Sequence, residues 1–162
     1  MKPLMQWVCD KCGGLIVKPS DGWLEWLSGH NEDGTDAPSH GFKVVHHSEA
    51  SPLGDEGCYH YELEYDRSDT HLDEMIGPNG LAKFLAMLSP GPVFDEPTAP
   101  RRPVDESEYA ECLRRLMIPH YEEARLYFDE ARSDGLFDEA NEIWGCMQDN
   151  LQAIIERYRR SE

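Results

Sequence analysis

Cys9-Asp10-Lys11-Cys12-Gly13 is the stretch that decides how the rest of the chain is read. Two thiolates separated by two residues around a tight turn can hold one metal ion, and together they make half of a four-ligand site. The segments on either side, Trp7-Val8-Cys9 and Leu15-Ile16-Val17, are rich in strand formers and read as the two arms of a short hairpin. The other half of the site must then come from elsewhere in the chain.

Over about residues 7–17 this segment resembles the CxxCG knuckles of the zinc-ribbon and rubredoxin-like families. The resemblance implies a zinc ion held by thiolates, with the glycine after the second cysteine letting the backbone turn so that amide groups face the sulfurs. The family pattern carries a second CxxC, which this chain lacks.

Six of the seven histidines lie between residues 30 and 71, and the candidates for the remaining ligands are His46, His47, Cys58 and His60. Cys58 is chosen because a cysteine at a strand entrance beside Gly57 has little packing role and a third thiolate favours zinc over harder metals. Between the adjacent histidines the reading favours His47. On a strand over 42–47, His46 shares its face with Phe42 and Val44, assigned to the core, while His47 shares its face with Lys43. His60 has the parity of Cys58 and is a supporting group or an alternative ligand. The expected site is therefore Cys9, Cys12, His47 and Cys58 around a structural Zn2+. Cys112 and Cys146 fall on or beside apolar helical stripes and read as core.

Working outward, Trp23–Leu27 and Phe42–His47 read as strands. The alternation Tyr59-His60-Tyr61-Glu62-Leu63-Glu64-Tyr65 predicts another. A long polar loop spans 28–41; its Asn31–Asp36 portion hints at a calcium loop but lacks the ligand spacing of an EF-hand. Asn79 is positioned to cap a helix over 80–88. Pro90, Pro92, Pro97, Pro100 and Pro103 then mark a semi-rigid connector. Beyond Val104 the apolar period becomes helical. Tyr109, Cys112, Leu113, Leu116 and Met117 form one stripe, Pro119 opens a second helix, and Phe137 through Tyr158 predicts a long final helix. The expectation is an α+β fold, a small antiparallel sheet with a zinc knuckle packed against C-terminal α-helices. Its parts are a β-rich region with one helix over 1–88, a connector over 89–104 and a helical region over 105–162 sharing the same core.

Composition narrows function. The chain has 162 residues and a formal charge of −17, from 32 acidic residues against 15 Lys and Arg. Such a field repels phosphate backbones and anionic membranes, so nucleic acid and membrane are disfavoured as partners. Five cysteines, an odd number, with no signal-like apolar run at the N-terminus, point to a reducing cytoplasm. Zinc-deaminase and HNH-nuclease patterns fail on motif order and on the absence of a basic surface. What these observations imply is a zinc-binding cytoplasmic protein mediating protein–protein interaction, with another protein as its partner. The alternatives are an acidic inhibitor or nucleic-acid mimic that occupies a basic cleft, and a zinc-dependent hydrolase using Glu49 or Glu62.

Overall fold

The computed structural model describes residues 1–29, 38–62, 64–89 and 103–159. The knuckle arms are strands, β1 (Trp7–Val8) and β2 (Leu15–Ile16), paired antiparallel with Trp7 opposite Ile16. A second antiparallel sheet has the order β4-β3-β5, from β3 (Gly22–Ser28), β4 (His40–His46) and β5 (Asp66–His71). Helices follow: α1 (Leu72–Met75), α2 (Gly77–Leu88), α3 (Glu106–Met117), α4 (Tyr121–Ala124), α5 (Phe128–Ser133) and α6 (Gln148–Tyr158). The class is α+β, as the sequence implied.

Several boundaries differ from expectation for physical reasons. The described part of 59–65 is not a strand; it runs as an irregular segment across one sheet face, where Tyr59 stacks on Trp23 and Arg67 sits 4.4 Å above the Tyr59 ring. The third strand is β5, of sequence DRSDTH, and it pairs with β3 from Asp66 to His71. Pro78 at the start of α2 lets that helix begin before Asn79, which lies inside it rather than capping it. The final helix is shorter than the apolar spacing suggested. Residues 137–147 form turns and a short 3-10 helix at Trp144–Cys146, and the α-helix covers Gln148–Tyr158. Of the polar loop, 30–37 lies outside the described residues, as do 90–102 of the connector and Leu63.

Where α3 begins, Asp105 accepts hydrogen bonds from the amides of Ser107 and Glu108 at 2.8 and 3.1 Å, satisfying two donors the helix cannot satisfy itself. Its buried face carries Tyr109, Cys112 and Leu116 onto the sheet. Tyr109 meets Phe42 edge-on at 5.2 Å and Phe84 of α2 at 5.4 Å. These residues join Trp7, Ile16, Leu24 and Val44 in one apolar core. Tyr121, Ala124, Leu151, Ile154 and Tyr158 build a second core among the later helices. Trp7 is fully buried, Trp26 stacks on Phe42 of β4, and Trp23 is flanked by His47, Tyr59 and His71.

Helix α2 makes its closest backbone approach at Gly80, where a Cβ would lie 2.0 Å from the carbonyl oxygen of Met75. Replacing a helical glycine by alanine ordinarily stabilises by about 1 kcal/mol. Here Gly80→Ala is expected to destabilise instead, seen as a lower urea midpoint; an unchanged or raised midpoint would contradict this packing.

Candidate metal centre

The knuckle turn is built by hydrogen bonds from Gly13 N to Cys9 O and from Cys9 N to Gly14 O, both 2.9 Å. Gly13 holds φ at 71°, a left-handed value that glycine adopts without steric cost. The turn aims the amide of Gly14 at Cys12 Sγ, 3.4 Å away, in the arrangement the family resemblance implied.

Facing these two sulfurs are Cys58 and His46. The donor atoms of Cys9, Cys12, His46 and Cys58 all lie within 4.8 Å of one another, and this quartet can hold a metal ion. His46 Nδ1 is 3.5 Å from Cys12 Sγ and 3.8 Å from Cys58 Sγ. The other ring nitrogen, Nε2, lies 3.3 Å from the carbonyl oxygen of Leu15. A carbonyl only accepts, so the proton sits on Nε2 and the Nδ1 lone pair turns toward the thiols. Cys58 is fully buried, and Ser51 Oγ lies 3.1 Å from its sulfur. Burial pushes the Cys58 thiol up to about 11, with the Ser51 hydrogen bond opposing and the neighbouring Cys9 adding to the rise. A bound divalent cation reverses that preference, since its charge stabilises thiolate over thiol.

Of the residues expected from sequence, Cys9, Cys12 and Cys58 come together and His47 does not join them. The cluster lies inside the first apolar core, which contains Cys9 and Cys58. The core face of β4 is therefore also the ligand face, and strand parity brings His46 to it. His47 turns the other way, 4.3 Å from the Trp23 ring and 5.3 Å from that of His71, with its Nδ1 accepting from Glu49 N. His60 is also apart. Its Nδ1 contacts the Gly41 carbonyl at 2.8 Å, its Nε2 faces Glu62 at 3.4 Å, and its amide donates to the buried Glu25 at 2.7 Å.

A second layer, not foreseen from sequence, clamps the knuckle to the helices. Arg115 is only 4% exposed. Its guanidinium donates to Asp10 Oδ2 at 2.6 Å, to the Val8 carbonyl at 2.9 Å and to both oxygens of Glu122 at 2.8 and 3.0 Å. Arg125 forks onto the same carboxylate at 2.6 and 2.9 Å, and Glu122 also accepts from Val8 N at 2.9 Å. Asp10 completes the frame with two bonds to Val44 of β4, its side chain accepting at 2.7 Å and its amide donating at 2.8 Å. The one signal available in sequence was Asp10, an acid between the two cysteines of the turn.

A scan against protein-family models finds no match, and searches of curated proteins and of solved structures find none either. Fold and site together define an α+β protein with a buried Cys3His cluster able to hold a metal ion. No helix among the described residues is long and apolar enough to cross a membrane.

Burial raises the Glu122 carboxyl, but the Arg125 and Arg115 guanidiniums outweigh it and hold its pKa below the ordinary 4.5. The unfolded chain therefore binds the proton more readily. This contribution to stability is complete above pH 4.5 and is lost as pH falls through the folded-state value. Glu122→Gln is expected to cost about 3 kcal/mol at pH 7, because it removes the carboxylate that Arg115 and Arg125 share and leaves Asp10 as the acid facing both. The variant should also lose stability less steeply than wild type below that pH; parallel acid limbs in urea titrations would refute the assignment.

Proposed function

We propose that the protein carries a structural zinc ion on Cys9, Cys12, His46 and Cys58, and acts by presenting a surface to another protein. The carrying observation is the spacing of the donors. Zinc bonds of about 2.3 Å to sulfur and about 2.0–2.1 Å to nitrogen place tetrahedral ligand atoms roughly 3.5–3.8 Å apart. The Cys12–His46 separation of 3.5 Å falls on the sulfur-to-nitrogen value, the Cys58–His46 separation of 3.8 Å lies a few tenths of an ångström beyond it, and all four donor atoms lie within 4.8 Å. Three thiolates and one imidazole also suit zinc better than harder ions. Four protein donors fill a tetrahedron, which supports a structural rather than a hydrolytic metal. Of the two acids considered for hydrolysis, Glu62 has its carboxylate 3.4 Å from His60 Nε2.

The interaction reading rests on α2 rather than on the aromatic strands. Leu81, Leu85 and Leu88 are 43%, 54% and 42% exposed and share one side of that helix at positions i, i+4 and i+7. An apolar stripe on a chain of charge −17 suits a partner with an apolar centre and a basic rim.

Elemental analysis of the purified protein is expected to give one zinc per chain, with an X-ray absorption spectrum of three sulfur and one nitrogen neighbours. His46→Ala should weaken zinc by more than about a hundredfold, the upper end for losing a residue that merely supports a ligand. His47→Ala should keep it, and loss of zinc in His47→Ala alone would overturn the ligand set. For the surface, Leu85→Asp is expected to abolish binding of basic proteins that the wild type captures and salt elutes. Retention of those proteins by the variant would remove α2 from the interface.

A further inference from the structure

We propose that the cavity beside the metal cluster is a binding site for a small oxyanion, a phosphate or carboxylate group held between Lys11 and Lys43. The cavity measures about 230 Å3 and is walled by Asp10 and Lys11 of the knuckle, Lys43 and Val45 of β4, and residues 58–62. That volume is below the roughly 300–1,000 Å3 of sites for drug-sized ligands, so it suits a single charged group rather than a cofactor.

Charge accounting supplies the argument. Every described arginine has a carboxylate partner, as do Lys18 and Lys83. Among the described residues, Lys2, Lys11 and Lys43 are the lysines left without an ion pair, in a chain where acids outnumber Lys and Arg 32 to 15. Two of those three face the same cavity. Two lysines without ion pairs on the wall of one recess give it a local positive charge that a small anion would neutralise.

The acids at the cavity do not fill this role. Asp10 Oδ2 is taken by Arg115 at 2.6 Å and by Val44 N at 2.7 Å. Glu62 stands at the wall with a side chain 51% exposed, and its Oε1 faces His60 Nε2 at 3.4 Å. His60 is fixed by its contact with the Gly41 carbonyl at 2.8 Å. The site needs a folded knuckle to place Lys11, and it does not depend on which ion the cluster holds.

The test is a titration of the 15N-labelled, metal-loaded full chain with sodium phosphate, and separately with sodium acetate, at constant ionic strength so that screening does not vary. Saturable shifts centred on the amides of Lys11, Lys43 and Tyr61 are expected. Lys11→Gln and Lys43→Gln should each weaken the affinity about tenfold, the worth of one charge-assisted hydrogen bond. Glu62→Gln, which removes a competing negative charge from an exposed position, should tighten it. A response to phosphate alone assigns a phosphoryl ligand, and a response to both assigns carboxylates as well. Zinc content measured on each variant separates failure of the metal reading from failure of this one. Non-saturating shifts in wild type overturn the proposal, as does an affinity unchanged by Glu62→Gln; that variant keeps both lysines and decides the matter even if a lysine variant loses its metal.

Discussion

The guanidinium of Arg115 is where the two halves of the molecule are tied. It reaches from α3 to the carbonyl of Val8 and the carboxylate of Asp10 on one side, and to Glu122 of α4 on the other. Even its backbone takes part, the Arg115 carbonyl accepting from the indole of Trp7 at 3.1 Å. A buried cation needs every donor satisfied, and this one is held by two carboxylates and a carbonyl. An apolar pair of similar volume would match its contribution to stability, but not its direction. Five oriented donors accept only one placement of the knuckle against the helices, so the clamp specifies the arrangement as much as it strengthens it.

Metal and clamp are adjacent in sequence and therefore in effect. Asp10 lies between the cysteines of the turn, and its neighbour Cys9 is both ligand candidate and core residue. Fixing the sulfurs around an ion fixes Asp10, and fixing Asp10 orients Arg115. Because Cys9 and Cys58 belong to the first apolar core, the free energy of any ion held by the cluster would also be free energy of folding for the surrounding strands. The helical core around Leu151 and Ile154 touches none of the four donors directly; its link to the metal runs through Glu122 and Arg115.

How much of this was legible follows from where each signal lived. The knuckle hairpin, β3, β4 and the stripe of α3 were readable because local pattern and burial agree there. Strand β5 was not, because an edge strand of sequence DRSDTH takes its place from pairing with β3 and carries no apolar alternation. The Tyr59–Tyr65 alternation misled for the opposite reason. Tyr59 packs between Trp23 and Arg67 while Tyr61 is exposed and Tyr65 meets His40, so the segment follows separate side-chain contacts rather than a strand ladder. Phe137 in a turn and Trp144 in a 3-10 helix are not on one α-helix, yet the folded-back chain brings their rings 5.3 Å apart, the proximity that helical spacing would also give. Three of the four cluster residues were found. His47 was chosen because a ligand was assumed to avoid the core face, whereas the histidine that stands with the three cysteines is His46, on that face.

The acidic excess then acquires a structural meaning. Arginines 115 and 125 are paired with Asp10 and Glu122, two charges of each sign, so the rest of the chain keeps the whole excess of −17. Self-repulsion in such a shell opposes compaction and weakens with added salt, whereas the buried clamp is screened far less. The fold therefore rests on interactions placed where solvent cannot attenuate them, and the exterior charge is left to govern what approaches the molecule. Negative potential at the surface with two unpaired ammonium groups at one recess is a pattern that excludes extended polyanions by their total charge and admits a single small one by local geometry.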